Sequence, residues 1–177
     1  MKKCLLAVAV LAASNLCVAN EIYVGVDYSM LDVELKVANI TLDSEPSAIN
    51  LKLGNSFNEN FAIEAIFGLG LSDDRVSRSD FDFELENLFG ISAVGLIPLN
   101  EVVKLYGKIG VAQIDYDDSD GDESDASGLF YGFGISADFT PKFGMSLEYL
   151  QYPDGEYKDY NVDIETTSLN LGAHIRF

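Results

Sequence analysis

The sequence predicts an all-β fold, an eight-stranded antiparallel up-and-down transmembrane β-barrel. Three observations predict it. After residue 19 the apolar residues recur with a period of two, the spacing of strands with two unlike faces. The segments with such a face number eight, an even count that can close an antiparallel barrel. The connections between them alternate between short and long.

The first nineteen residues stand apart from this pattern. Lys2 and Lys3 form a positive n-region, Leu5 to Ala13 an apolar stretch, and Cys17-Val18-Ala19 a small-residue cleavage site, which together make a secretory signal. The apolar stretch is shorter than the roughly 20 residues of a membrane-spanning helix. Cys17 is not read as a lipid acceptor, because Leu16 stands where such signals carry a small residue. The expected division is a cleaved signal peptide over 1–19 and a barrel domain over 20–177. Both cysteines, Cys4 and Cys17, would leave with the signal, so no disulfide or thiolate metal site is expected.

Each strand shows its apolar face in turn. The first, Glu21–Met30, presents Ile22, Val24, Val26, Tyr28 and Met30. Ile49–Gly54 presents Ile49, Leu51 and Leu53, and Phe61–Leu71 presents every second residue from Phe61 to Leu71. Phe81–Leu99 carries Phe81, Phe83, Leu85, Phe89, Ile91, Ala93 and Ile97, and Val103–Gln113 carries Val103, Leu105, Ile109 and Val111. Leu129–Phe139, Phe143–Gln151 and Leu169–Phe177 complete the set. The opposite faces are small or polar, for example Gly25, Asp27 and Ser29, or Gly172, His174 and Arg176.

Alternation alone fits a soluble sandwich as well as a membrane barrel. Three features favour the barrel, with its apolar face toward lipid and its polar face toward the lumen. The links Asn55–Asn60, Pro98–Val102 and Thr140–Lys142 are short, whereas Asp32–Ser47, Ser72–Asp80, Tyr116–Gly128 and Pro153–Tyr160 are long and mostly acidic. Val33–Leu42 can extend the strands that flank it, or residues 31–47 can form two further strands of a rearranged barrel. Aromatic residues fall near strand ends, with Phe61, Phe139, Phe143 and Phe177 toward the short turns, as the lipid interface favours. The inner face is rich in Gly, Ser and Ala, which suits the narrow interior of eight strands. The net charge of −18 in a chain that is 48% hydrophobic requires the acids to be segregated from an apolar part, and it argues against a nucleic-acid partner.

The last strand ends Asn170-Leu171-Gly172-Ala173-His174-Ile175-Arg176-Phe177. Its polar residue, Gly172, Ile175 and terminal aromatic Phe177 look like the C-terminal signal used by the outer-membrane barrel assembly machinery. With Leu105-Tyr106-Gly107-Lys108-Ile109-Gly110 after the second short turn, the chain resembles the OmpA/OmpX-like small outer-membrane β-barrel superfamily over residues 20–177. The resemblance implies a bacterial outer-membrane location, short periplasmic turns, longer extracellular loops, and outer-membrane lipid and lipopolysaccharide as surroundings. It implies no single activity, because one scaffold hosts many functions. No cofactor is expected, and the extracellular ligand is left open.

Counting from the short turns places Lys52, Glu64, Lys108 and Glu148 at similar depth on the inward face, with Lys52 facing Glu64 across the first hairpin. His174 and Arg176 fall nearer the short-turn rim. The six are expected to form a charge network, because burying them unpaired would be costly. Asp117, Asp118, Asp120, Asp122 and Glu123 crowd one long link and are weak candidates for Ca²⁺ or Mg²⁺. Glu123 occupies the position where an EF-hand register from Asp118 needs Gly, so a solvated, self-repelling loop is the plainer expectation. Catalysis is not expected: Arg176 stands where the barrel deacylases carry the serine of a His-x-Ser pair. The expected role is a structural or surface-interaction barrel with a lumen plugged by side chains. A narrow cation-preferring pore is the alternative, and a lipid-modifying enzyme a distant third.

Overall fold

A computed structural model describes residues 21–37, 40–44, 46–72, 74–75, 82–118, 124–153, 155–157 and 162–177. The expected signal segment lies outside them. The described residues form eleven strands: β1 (Glu21–Val37), β2 (Ile40–Ser44), β3 (Ser47–Ser56), β4 (Phe61–Ser72), β5 (Asp74–Arg75), β6 (Asp82–Pro98), β7 (Val103–Asp118), β8 (Ser124–Asp138), β9 (Phe143–Gln151), β10 (Gly155–Tyr157) and β11 (Val162–Arg176). Eight of these, all but the short β2, β5 and β10, pair antiparallel with their chain neighbours, and β11 pairs back onto β1 to close the barrel.

The strands run further than their apolar faces predict. β1 and β6 each have 17 residues and β7 has 16, whereas roughly 9–11 tilted residues cross a bilayer. The expected long link Asp32–Ser47 is therefore mostly strand. β2 continues the register of β3 against β1, with Val33 opposite Ser44 and Met30 opposite Ser47, so it adds no wall to the barrel. Pro46 divides the two: its carbonyl accepts from Leu31 N at 2.9 Å, but it has no N–H to return the bond. The link Tyr116–Gly128 is likewise shortened, because β7 reaches Asp118 and β8 begins at Ser124.

The three short turns share one construction. Phe57, Leu99 and Phe139 each donate a backbone N–H to the carbonyl four residues on, at 2.9, 2.9 and 3.0 Å. The next residue then accepts two backbone N–H groups with its side chain. Asn58 Oδ1 takes Asn60 N and Phe61 N, Asn100 Oδ1 takes Val102 N and Val103 N, and Thr140 Oγ1 takes Lys142 N and Phe143 N. Asn100→Ala removes two such bonds and should cost about 1 kcal/mol. Asn100→Asp keeps the acceptor and should cost little. Urea unfolding of refolded protein in lipid vesicles measures both.

The faces of the strands exchange character part-way up. In the lower part the outward side chains are apolar and exposed, as at Ile22, Val26 and Met30 on β1, while inward Asp27 and Ser29 are buried. Above Met30 the outward residue is exposed Asp32, and the buried ones are Leu31 and Val33. The same reversal separates Val111 from Gln113, Leu129 from Ser127, and Tyr149 from Gln151. Its cause is the change of solvent. Beside lipid the apolar side chains face out; above lipid the outer wall meets water, and burial drives them inward.

Candidate functional site

The lumen brings the chemistry-bearing side chains together in three tiers. Nearest the short turns, Asp138 at the end of β8 gathers three basic groups. Arg176 Nη1 reaches its Oδ2 at 2.6 Å, Lys104 Nζ the same oxygen at 3.1 Å, and His174 Nε2 its Oδ1 at 3.1 Å. Strand alternation positions each partner: Lys104 is the second residue of β7, and His174 and Arg176 are alternate inward residues of β11. Glu21 lies 3.8 Å from Arg176 Nε at the rim.

The middle tier centres on Lys108. Its Nζ lies 2.6 Å from Glu64 Oε1 and 2.5 Å from Glu148 Oε2, linking β7 to β4 and β9. Tyr23 OH donates to Glu64 Oε2 at 2.8 Å, Tyr106 hydrogen-bonds Glu148, and Asn170 Nδ2 donates to Glu148 Oε1 at 3.3 Å. Lys52 takes a different partner from the one its position predicts. The register sets Glu64 opposite Gly54 and Lys52 opposite Ile66, because the turn is centred one residue later than the count assumed. Lys52 Nζ instead meets Asp27 Oδ2 at 2.6 Å. The five charged groups of this tier, Asp27, Lys52, Glu64, Lys108 and Glu148, are all buried.

The upper tier is apolar. Leu31, Val33, Ile66, Leu88, Ile114, Phe130, Leu150 and Tyr152 turn inward and are buried, with Phe130 and Tyr152 stacked at 6.0 Å between ring centroids. Glycines make room for this tier, Gly90 and Gly110 against the Phe130 ring and Gly132 against Leu150. A Cβ on Gly110 would run into the Ile91 carbonyl and the Phe130 ring, and one on Gly132 into the Tyr149 carbonyl.

The structure places Lys52, Glu64, Lys108, Glu148, His174 and Arg176 on the inward faces. Alternation in the sequence also puts Asp27, Lys104 and Asp138 on those faces, but the expected charge network left them out, and it did not name Tyr23 and Tyr106. The signal available for them was their parity: each lies on the small, polar face of its strand. The terminal residues separate by face. Asn170 and Gly172 are buried inward, Ile175 and Phe177 are exposed outward, and Phe177 N donates to Ile22 O at 2.9 Å. Asp117 and Asp118 lie on β7 opposite Glu84 and Phe83, but their side chains, and Asp120, Asp122 and Glu123 entirely, fall outside the described residues. Among the described residues no cluster of His, Cys, Asp or Glu could hold a metal ion.

A closed antiparallel barrel with an exposed apolar belt, a charged lumen and short turns at one end is an outer-membrane β-barrel protein. Residues 4–177 match the model of the outer membrane protein beta-barrel domain, and the chain belongs to that family. It lies in the bacterial outer membrane, with the short turns toward the periplasm and the long loops outside.

Solved structures share the fold. Ail, the attachment invasion locus protein of Yersinia pestis, determined in complex with the heparin analogue sucrose octasulfate, matches with TM-score 0.60 at 23% identity, covering 89% of this chain and 99% of Ail. Neisserial surface protein A matches with TM-score 0.61 at 18% identity over 88% and 97%. The N-terminal barrel of Pseudomonas aeruginosa OprF matches with TM-score 0.55 at 12% identity over 86% and 97%. No curated protein sequence matches the chain.

Proposed function

We propose that the protein is a non-conducting surface barrel whose extracellular end serves as an interaction platform for cationic partners. The observation that carries this reading is the apolar tier between the charged lumen and the outer end. A constriction lined by Leu88, Ile114, Phe130 and Leu150 gives an ion nothing to replace its hydration shell. The charge distribution supports the choice of partner. Lys52, Lys104, Lys108 and Arg176 lie inside the lumen beside carboxylates and Lys142 lies in a short turn, which leaves Lys36, Arg75, Arg78 and Lys158 against the many acids of the outer strands and loops. A field of that sign repels sulfated polyanions of the kind bound to Ail and attracts cations.

Residues 1–19 act in this reading as a cleaved signal, and Asn170, Gly172, Ile175 and Phe177 as the address for the assembly machinery. Lipopolysaccharide surrounds the outer rim. Refolded protein in planar bilayers should show no discrete current steps. Stepwise cation-selective currents would replace this reading with that of a narrow pore.

A further inference from the structure

We propose that the periplasmic half of the lumen is a binding site for a compact oxyanion, a phosphate or carboxylate group. A cavity of about 580 Å³ opens between the short turns and reaches inward to Lys52 and Glu64. That size is within the roughly 300–1,000 Å³ of small-molecule sites.

Its wall carries more donors than the described residues take up. Lys104 has three N–H donors and Arg176 five. Asp138 takes one from each and one ring nitrogen of His174, which occupies both of its oxygens. Glu64, the deepest carboxylate of the wall, is already held by Lys108 and Tyr23. Glu21 is half-exposed at the lip and 3.8 Å from Arg176 Nε, and Glu59 sits in the exposed first turn. The remaining N–H groups of Lys104 and Arg176 share the cavity wall with the hydroxyls of Ser136 and Ser146. The rim cluster therefore sets two permanent cations against Asp138 and the half-exposed Glu21, with N–H donors still in excess of the oxygens that face them. An oxyanion completes it, because guanidinium and ammonium groups bond oxyanions more strongly than neutral acceptors.

His174 is the only histidine in the chain, so its imidazole gives a single magnetic-resonance signal at the wall of the cavity. Titrating inorganic phosphate into refolded protein in zwitterionic detergent, at fixed pH, should move that signal saturably. Chloride at the same ionic strength should not. Lys104→Gln should weaken the response about tenfold, Lys104→Arg should retain it, and Asp117→Asn in the outer strand should leave it unchanged. A heat-dependent gel shift verifies that each variant is folded. A second arm titrates short-chain phosphatidylglycerol. Saturation by phosphate identifies a soluble anion, and saturation by the lipid alone identifies a headgroup; either supports the site. No saturable movement with either ligand, or an equal response in Lys104→Gln, overturns it.

Discussion

Lys108→Met should destabilise the barrel by about 3–5 kcal/mol, the usual result of removing one partner from a buried ion pair. The loss comes from what remains. Glu64 and Glu148 both lie within 2.6 Å of the Lys108 ammonium and both are buried. Without it, two carboxylates share a water-poor interior, and the hydroxyls of Tyr23 and Tyr106 satisfy single lone pairs without supplying charge. Adding Glu64→Gln and Glu148→Gln to Lys108→Met should recover most of the loss, since the interior then holds amides in place of unpaired charges. Urea unfolding in lipid vesicles measures the series. Equal stability of Lys108→Met and the parent protein would show that the lumen tier is hydrated enough to need no pairing.

Phe130→Ala should cost about 3–5 kcal/mol, the range for emptying a buried aromatic site. The side chain is almost wholly buried, stacks on Tyr152, and is received by a gap that Gly110 leaves beneath its ring. The surrounding wall is hydrogen-bonded strand, so it cannot collapse into the void. Phe130→Leu refills most of the volume and should cost less than about 1.5 kcal/mol. The outward neighbour is the control: Leu129 is 64% exposed on the lipid side, and Leu129→Ala should cost far less than Phe130→Ala. If the two alanine variants unfold alike, the upper tier is not a packed core.

The barrel was legible in the sequence because period-two alternation survives for eight strands and the turns are marked by Asn58, Asn100 and Pro141. The strand ends were not, because they lie past the reversal of the faces, where the outward residues cease to be apolar. That reversal does leave a trace. Adjacent apolar pairs, Met30-Leu31, Leu88-Phe89, Leu129-Phe130 and Tyr149-Leu150, mark where one face hands over to the other. Each reads as a break in alternation unless two solvents are considered along one strand. The lumen charges were found by parity, but their partners were misassigned at Lys52. Depth counted from a turn is uncertain by one residue in the turn's centre, and this moves the cross-strand neighbour of Glu64 by two positions, from Lys52 to Gly54.

The seam between β1 and β11 runs from Tyr23 opposite Arg176 to Lys36 opposite Asp163. Among the described residues every other wall contact joins chain neighbours, and this ladder joins residues from opposite ends of the chain. Bringing such distant ends together costs on the order of 4 kcal/mol in chain entropy. That cost is met in one step by a whole row of backbone bonds, which removes both exposed edges of the sheet at once. An almost-finished barrel, with seven ladders formed and the eighth open, holds two unpaired strand edges against lipid and is poorly populated. Closure is therefore expected to be all-or-none and the slowest event of folding.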